Sequence, residues 1–164
     1  MITVDQIKKL REETGVSISE CQKALKETEG DIEKAKEILK KRSSGFAAKK
    51  SEREAKEGIV DSYIHPGKKI GVLLELGCES DFVAKSEDFQ KLAHELCLQI
   101  AAVSLEEIPA GDKPKGSSFE FPVAWVLEQP WIKDEQKTVK NLIDEYISKI
   151  GENIILRKIT RYEI

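Results

Sequence analysis

Apolar side chains recur at helical spacing in three short runs over residues 1–41, and each run is bounded by start and stop signals. Thr3 and Gln6 form a capping pair that satisfies free amide donors ahead of a helix turning Val4, Ile7 and Leu10 inward. Gly15 ends that helix. Ser17 and Glu20 open a second helix with Ile18, Cys21, Ala24 and Leu25 on one face, and Gly30 supplies a left-handed exit. Asp31 caps a third, whose inward residues Ile32, Ala35, Ile38 and Leu39 repeat the spacing. Three such stripes can meet in a bundle over residues 1–41. A unit this short is marginal but viable, because it buries about 60% or less of its unfolded surface.

The pattern then changes. Ser43, Ser44 and Gly45 interrupt it, and Lys40, Lys41, Arg42, Lys49 and Lys50 concentrate positive charge. These features predict a linker over residues 42–57, partly helical after Phe46. From there the period drops to two. Residues 59–65 and 69–78 flank a turn at Pro66 and Gly67, which is a hairpin signature. In the second strand Ile70, Val72, Leu74 and Leu76 share one face, while Gly71, Leu73, Glu75 and Gly77 share the other.

A loop over 79–86 leads to a helix near 88–103 with Phe89, Leu92, Leu96 and Ile100 as its stripe. Residues 104–122, with Pro109, Gly111, Pro114 and Gly116, suit an exposed connection, and the segment AWVLE forms a short element before Pro130. Thr138 to Ile150 reads as another helix, stopped by Gly151, and the β-branched tail ENIILRKITRYEI reads as a third strand. The expected architecture is therefore α+β. An N-terminal three-helix bundle and a linker precede a core over 58–164, made of a three-stranded antiparallel sheet with helices on one face.

Ile154, Ile155 and Leu156 are consecutive, so that strand carries apolar side chains on both faces, and Leu73 does the same for its neighbour. This motivates a homodimer across the second sheet face. The alternative is that the linker or the bundle covers that face.

Composition narrows the function classes. The chain has 164 residues, 40% of them hydrophobic, which suffices for one core or two small ones. Lys and Arg total 27 against 30 Asp and Glu, a net charge of -3, which argues against a nucleic-acid binder that works by bulk charge. No stretch approaches the roughly 20 apolar residues of a membrane span, and the N-terminus MITVDQIKKLREE is charged where a signal peptide would be apolar. A cytoplasmic protein, or one in an organelle's interior, is expected. Cys21, Cys78 and Cys97 form no CxxC pair and read as reduced, mostly buried small hydrophobes.

The familiar sites of chemistry are missing. There is no GxGxxG, no P-loop and no HExxH, so no cofactor and no metal is expected. His94 and Cys97 stand three apart on one helical face, as zinc ligands can, but two more ligands are not in evidence. A thiol nucleophile could be built from Cys78 or Cys97 with His65 or His94 as base. Against it, Cys97 lies among Leu96, Leu98 and Ile100, and Cys78 precedes an acidic loop; both settings disfavour the thiolate. An enzyme is not expected.

The segment CESDFVA over 78–84 stands out, because Asp81 and Phe82 share a short loop between a strand and a helix. An aromatic outside any core stripe, beside a carboxylate, could be a wedge offered to a partner. Equally, Phe82 could tuck under the following helix with Asp81 as a cap.

Taken together, these motifs resemble the elongation factor Ts family, the guanine-nucleotide exchange factors of elongation factor Tu. LREETGVSISECQKAL with EGDIEKAKEILKK is similar to that family's ubiquitin-associated-like head. REAKEG is similar to its linker end, YIHPGKKIGVLLEL to its hairpin, ESDFVA to its signature loop, and LEQPWIKDEQKTVKNLI with GENIILRKITRYEI to its C-terminal module. Ser80 stands where the family usually has Thr, which keeps the hydroxyl. The chain has room for one core unit where longer members carry two, and it lacks the coiled-coil insertion. The likeness is weakest over 104–124, and no role is carried there.

The resemblance implies a protein that binds elongation factor Tu and speeds GDP release, with no covalent chemistry on this chain. By likeness Phe82 inserts near the partner's magnesium site and Asp81 contacts the same region, with Ser80 and Val83 completing the signature. In the head, Arg11, Ile18 and Ser19 match contact positions. At the hairpin, His65 and Gly71 match positions that lie against the GTPase. Short members of the family act as dimers facing two elongation factor Tu molecules. No direct binding of nucleotide, nucleic acid or membrane is implied. A different class of function, an adaptor for ubiquitin-like or ribosomal partners with RNA on its basic linker, would rest on the five cations between Lys40 and Lys50.

Overall fold

In a computed structural model, which describes residues 2–109, 116 and 118–164, the chain starts with the helix signals read above. Helix α1 (Val4–Thr14) opens with a reciprocal capping box: the Gln6 amide donates to Thr3 Oγ1, and the Thr3 amide donates to Gln6 Oε1 at 2.8 Å. Gly15 closes it at φ 68°, a left-handed position that a side chain would resist. Helix α2 (Ile18–Glu27) is capped by Ser17 and α3 (Ile32–Lys50) by Asp31. Leu10, Cys21, Ala24, Leu25, Ala35 and Leu39 form the buried centre between them. Val4 and Ile18, expected inward, are 66% and 55% exposed. Each is the first residue of its helix, ahead of the turns that pack.

The break expected at Ser43 to Gly45 is absent. Helix α3 continues for 19 residues to Lys50. Ser43 sits inside it with its hydroxyl donating to the Lys40 carbonyl at 2.7 Å, so its polarity is met locally. Gly45 points into open space. Ala47, one turn after Ser43, is buried in the core of the second half of the chain. Small residues on one side of α3 therefore let it lie against the core, and packing outweighs the roughly 1 kcal/mol that a helical glycine costs. Within the expected linker, irregular chain is confined to residues 51–56, between α3 and β1 (Glu57–Ile64).

Strands β1 and β2 (Ile70–Cys78) pair antiparallel from Glu57 opposite Cys78 to Ile64 opposite Gly71. The final strand, β6 (Ile154–Glu163), pairs with the other edge of β2, with an irregularity between Glu75 and Leu76. A short strand, β3 (Ser118–Glu120), adds to β6, so the sheet holds four strands in the order β1-β2-β6-β3. That fourth strand arises within the segment read as a connection. Residues 110–115 and 117 of that segment lie outside the described residues.

Between the strands run α4 (Asp81–Ala84), α5 (Glu87–Ala102), α6 (Val123–Glu128) and α7 (Val139–Ile150), with β4 (Pro130–Trp131) and β5 (Asp134–Thr138) as a small separate hairpin. One sheet face meets the helices: Val72, Leu74, Leu76, Ile154, Leu156 and Ile159 pack on Phe89, Leu92, Leu96 and Ile100 of α5 and on Leu142, Ile143 and Ile147 of α7. Arg161, buried on β6, donates to the Ile100 and Val103 carbonyls at 3.0 and 2.7 Å and so closes the C-terminal end of α5. The class is α+β, with helices first and a sheet core after.

The opposite face stays open. Val60, Leu73 and Tyr162 are 67%, 49% and 57% exposed, so neither the bundle nor the segment after it covers them. Among the described residues no helix is long and apolar enough to cross a membrane.

Candidate functional site

Strand β2 delivers the chain to Cys78 between two hydrogen-bonded neighbours, and Ser80 then turns it. Residues read as a loop form one helical turn, α4, because the Ser80 hydroxyl accepts from the Val83 amide at 3.3 Å. Val83 and Ala84 point inward and are buried. Phe82 points outward and is 86% exposed, so it does not tuck under α5. Asp81 is exposed as well, and its carboxylate pairs with Lys85 at 2.6 Å, holding that ammonium's pKa above its ordinary value. Solvent screens an exposed pair of this kind, so Asp81 can exchange partners at small cost.

Below the turn lies a polar clamp. Glu152, just past the end of α7, accepts from the Glu79 and Ser80 amides at 3.1 and 3.0 Å and from the Ser80 hydroxyl at 2.6 Å. In return the Glu79 carboxylate accepts from the Asn153 amide at 2.7 Å. The Asn153 side chain also donates to the Arg53 carbonyl at 2.8 Å, and Arg157 donates to the Ala55 carbonyl, which fastens the chain entering β1. Sequence reasoning missed Glu152 and Asn153. The available signal was two polar residues directly after a helix-stopping glycine and directly before a buried strand.

The other candidates lie elsewhere on the surface. Arg11 lies in the last turn of α1, while Ile18 and Ser19 start α2, and all three are exposed. His65 and Gly71 flank the hairpin turn at the far end of β2 from Ser80. At about 3.3 Å per strand residue, Gly71 is roughly 23 Å from Cys78. His65 is exposed, and its Nδ1 accepts from the Gly67 amide at 3.3 Å. A Cβ at Gly71 would meet Ile64 Cδ1 at 3.0 Å, so the glycine suits a tight cross-strand fit. The structure thus brings together Ser80, Asp81, Phe82 and Val83, and leaves the head and hairpin residues as two further groups. Lys149 links the head towards the turn: its stem lies against Gly15, and its ammonium bonds Asp88 at 3.0 Å at the start of α5.

The thiols are poorly suited to chemistry. All three cysteines are buried. Burial pushes the Cys97 thiol up to about 12 and that of Cys78 up to about 11, the latter helped by the Glu152 charge. Protonated Cys78 donates to the Ser80 carbonyl at 3.2 Å, a structural use of the group. Among the described residues, no cluster of three His, Cys, Asp or Glu is arranged to hold a metal ion.

A family model described as Elongation factor TS matches residues 79–164, starting at the residue that leads into the turn. Over 99% of the chain, elongation factor Ts of Thermotoga neapolitana is 44% identical, the match covering 97% of that relative. Those of Herpetosiphon aurantiacus and Thermotoga maritima are 40% and 44% identical, again over 99% of this chain and over 98% and 96% of the relatives. The chain belongs to the elongation factor Ts family. It is thereby a translation elongation factor, and the likeness takes in the helical head and α3 as well as the sheet core.

Proposed function

We propose that this member of the elongation factor Ts family promotes GDP release from elongation factor Tu, and that the α4 turn is its lever. One observation carries the reading: Phe82 stands almost wholly in solvent on a turn whose Val83 and Ala84 side chains are buried and whose backbone is clamped from beneath. A large apolar ring held out in this way has its ordering cost met in advance, as a docking anchor requires.

The physical route runs through the partner's metal. Mg²⁺ offsets the phosphate charges of bound GDP while keeping several of its own waters, so displacing groups near it weakens the nucleotide. Phe82 wedges beside that site and Asp81, released from Lys85, contacts the same region. Arg11, Ile18 and Ser19 hold the GTPase from the head, and His65 and Gly71 from the hairpin. Because linkage is reciprocal, the chain binds nucleotide-free partner best by the same factor by which it loosens GDP. The protein lowers a barrier to dissociation and makes or breaks no covalent bond.

The open sheet face carrying Val60, Leu73 and Tyr162 seats a second copy, and the pair meets two elongation factor Tu molecules in the cytoplasm. The competing adaptor reading has lost part of its basis. Of its five cations, Arg42 is paired with Glu27 at 2.7 Å, and Lys50 is bonded to the Gly151 carbonyl at 2.6 Å.

The test is release of labelled GDP from the source organism's elongation factor Tu, with and without this protein. Accelerated release supports the reading, and an unchanged rate overturns it.

A further inference from the structure

We infer that Glu152 is a positioning residue for nucleotide release, acting through Phe82; this rests on the exchange activity proposed above. A single helical turn has no stability of its own, because one hydrogen bond does not offset the fixing of several backbone angles. Something else must hold α4. Phe82 at 86% exposure has almost no contact with its own protein, so its direction is set by the backbone of residues 80–84 alone.

That backbone is fixed from the α7–β6 corner. Glu152 Oε2 accepts from the Glu79 and Ser80 amides, and Oε1 accepts from the Ser80 hydroxyl at 2.6 Å. With its proton committed to Glu152, the same hydroxyl presents a lone pair to the Val83 amide at 3.3 Å. The carboxylate therefore orients the cap as well as the strand end. Hydrogen bonds to an ionised acceptor are about twice as strong as neutral ones, and this carboxylate takes three.

The clamp is reciprocal. The Glu79 carboxylate accepts from the Asn153 amide at 2.7 Å, so each corner's glutamate holds the other corner's backbone. Gly151 makes the approach possible, since its φ of 88° reverses the chain at the end of α7 and aims the next residue at Ser80. Val83 and Ala84, buried beneath, give α4 a packed side opposite Phe82.

The experiment uses the full chain with E152A, E152Q, F82A and the double variant F82A/E152A. In the free protein, hydrogen exchange of the Glu79 and Ser80 amides is followed. With elongation factor Tu, the maximal GDP release rate and the concentration giving half of it are measured separately. E152A should speed exchange at both amides by about tenfold or more, and should lower the maximal release rate by about tenfold, the scale of one charged hydrogen bond. E152Q, which keeps one acceptor oxygen and replaces E152A in the assay should that variant fail to fold, should recover part of both. In the F82A background E152A should add little, because its effect passes through the ring.

Undiminished release by E152A while F82A is impaired overturns the inference and leaves the exchange reading standing. So does an equal loss from E152A in both backgrounds, or unchanged protection of the two amides. Normal release by F82A overturns the lever itself and, with it, this role for Glu152.

Discussion

The Lys50 ammonium donates to the Gly151 carbonyl at 2.6 Å, joining the last turn of α3 to the C-cap of α7. The helix that carries the head thus ends on the same corner from which Glu152 and Asn153 hold the Phe82 turn and the entry to β1. Cations are favoured at a helix C-terminus, where the last carbonyls lack intrahelical donors. Lys50→Met keeps much of the stem and deletes the donor. It should cost about 1–2 kcal/mol, seen as a lower denaturant midpoint with unchanged slope.

Gly45 supplies a sharper test of the continuous helix. Its Cβ position meets nothing within 4 Å, and it lies mid-helix. Gly45→Ala should therefore stabilise the protein by about 0.5–1 kcal/mol, measured as a raised thermal midpoint. A flexible break at Ser43 to Gly45 would instead leave stability unchanged or reduce it.

Phe82→Ala separates function from fold. A side chain this exposed supports little of its own protein's packing, so the melting temperature should hold while GDP release from elongation factor Tu slows strongly. Interface anchors of this type are worth about 2–4 kcal/mol, or about 30-fold to nearly 1000-fold. Stopped-flow release with a fluorescent GDP measures it, and an unaltered rate would remove the wedge.

The elements that could be read from the chain are those whose signals are local. Thr3 with Gln6, Ser17, Asp31 and Thr138 announce helix starts because capping is decided within one turn, and Val72, Leu74 and Leu76 show a strand face because the period is two. What stayed hidden depends on partners far along the chain. Ser43, Ser44 and Gly45 favour a helix less than the residues around them, and tertiary contacts such as the packing of Ala47 on the core offset this in α3. Glu120 belongs to a strand because Thr160 lies opposite it. The exposure of Phe82 was also not legible, since an aromatic in a loop is as well suited to the interior. Glu152 reaches Ser80 across 72 positions, a distance over which no pattern rule speaks.

The buried thiols fix a pH dependence. An unfolded cysteine ionises near pH 8.5, whereas folded Cys78 and Cys97 hold their protons to about 11 and about 12. Folding is thus linked to keeping these protons. The stability they confer is complete below about pH 8.5 and declines as pH rises towards 11, because deprotonation favours the unfolded chain. Denaturant midpoints at pH 7, 9 and 10 should fall in that order, and Cys97→Ala should flatten the decline. At pH 8.5 a thiol reagent should label the native protein slowly and the denatured protein at once.

The open sheet face sets the last expectation. Val60 on β1, Leu73 on β2 and Tyr162 on β6 lie on one side, with Ser62 opposite Leu73 and Leu73 opposite Thr160. Three large apolar groups in a patch rimmed by Glu75 and Lys158 suit a self-complementary contact across a two-fold axis. Because Leu73 is 49% exposed, Leu73→Lys should leave the inner core of Val72, Leu74 and Leu76 intact. Sedimentation at micromolar concentration should find the unaltered chain as a dimer and Leu73→Lys as a folded monomer. If the unaltered chain sediments only as a monomer, the second copy is not what this face binds. If Leu73→Lys remains a dimer, the two copies meet through some other surface.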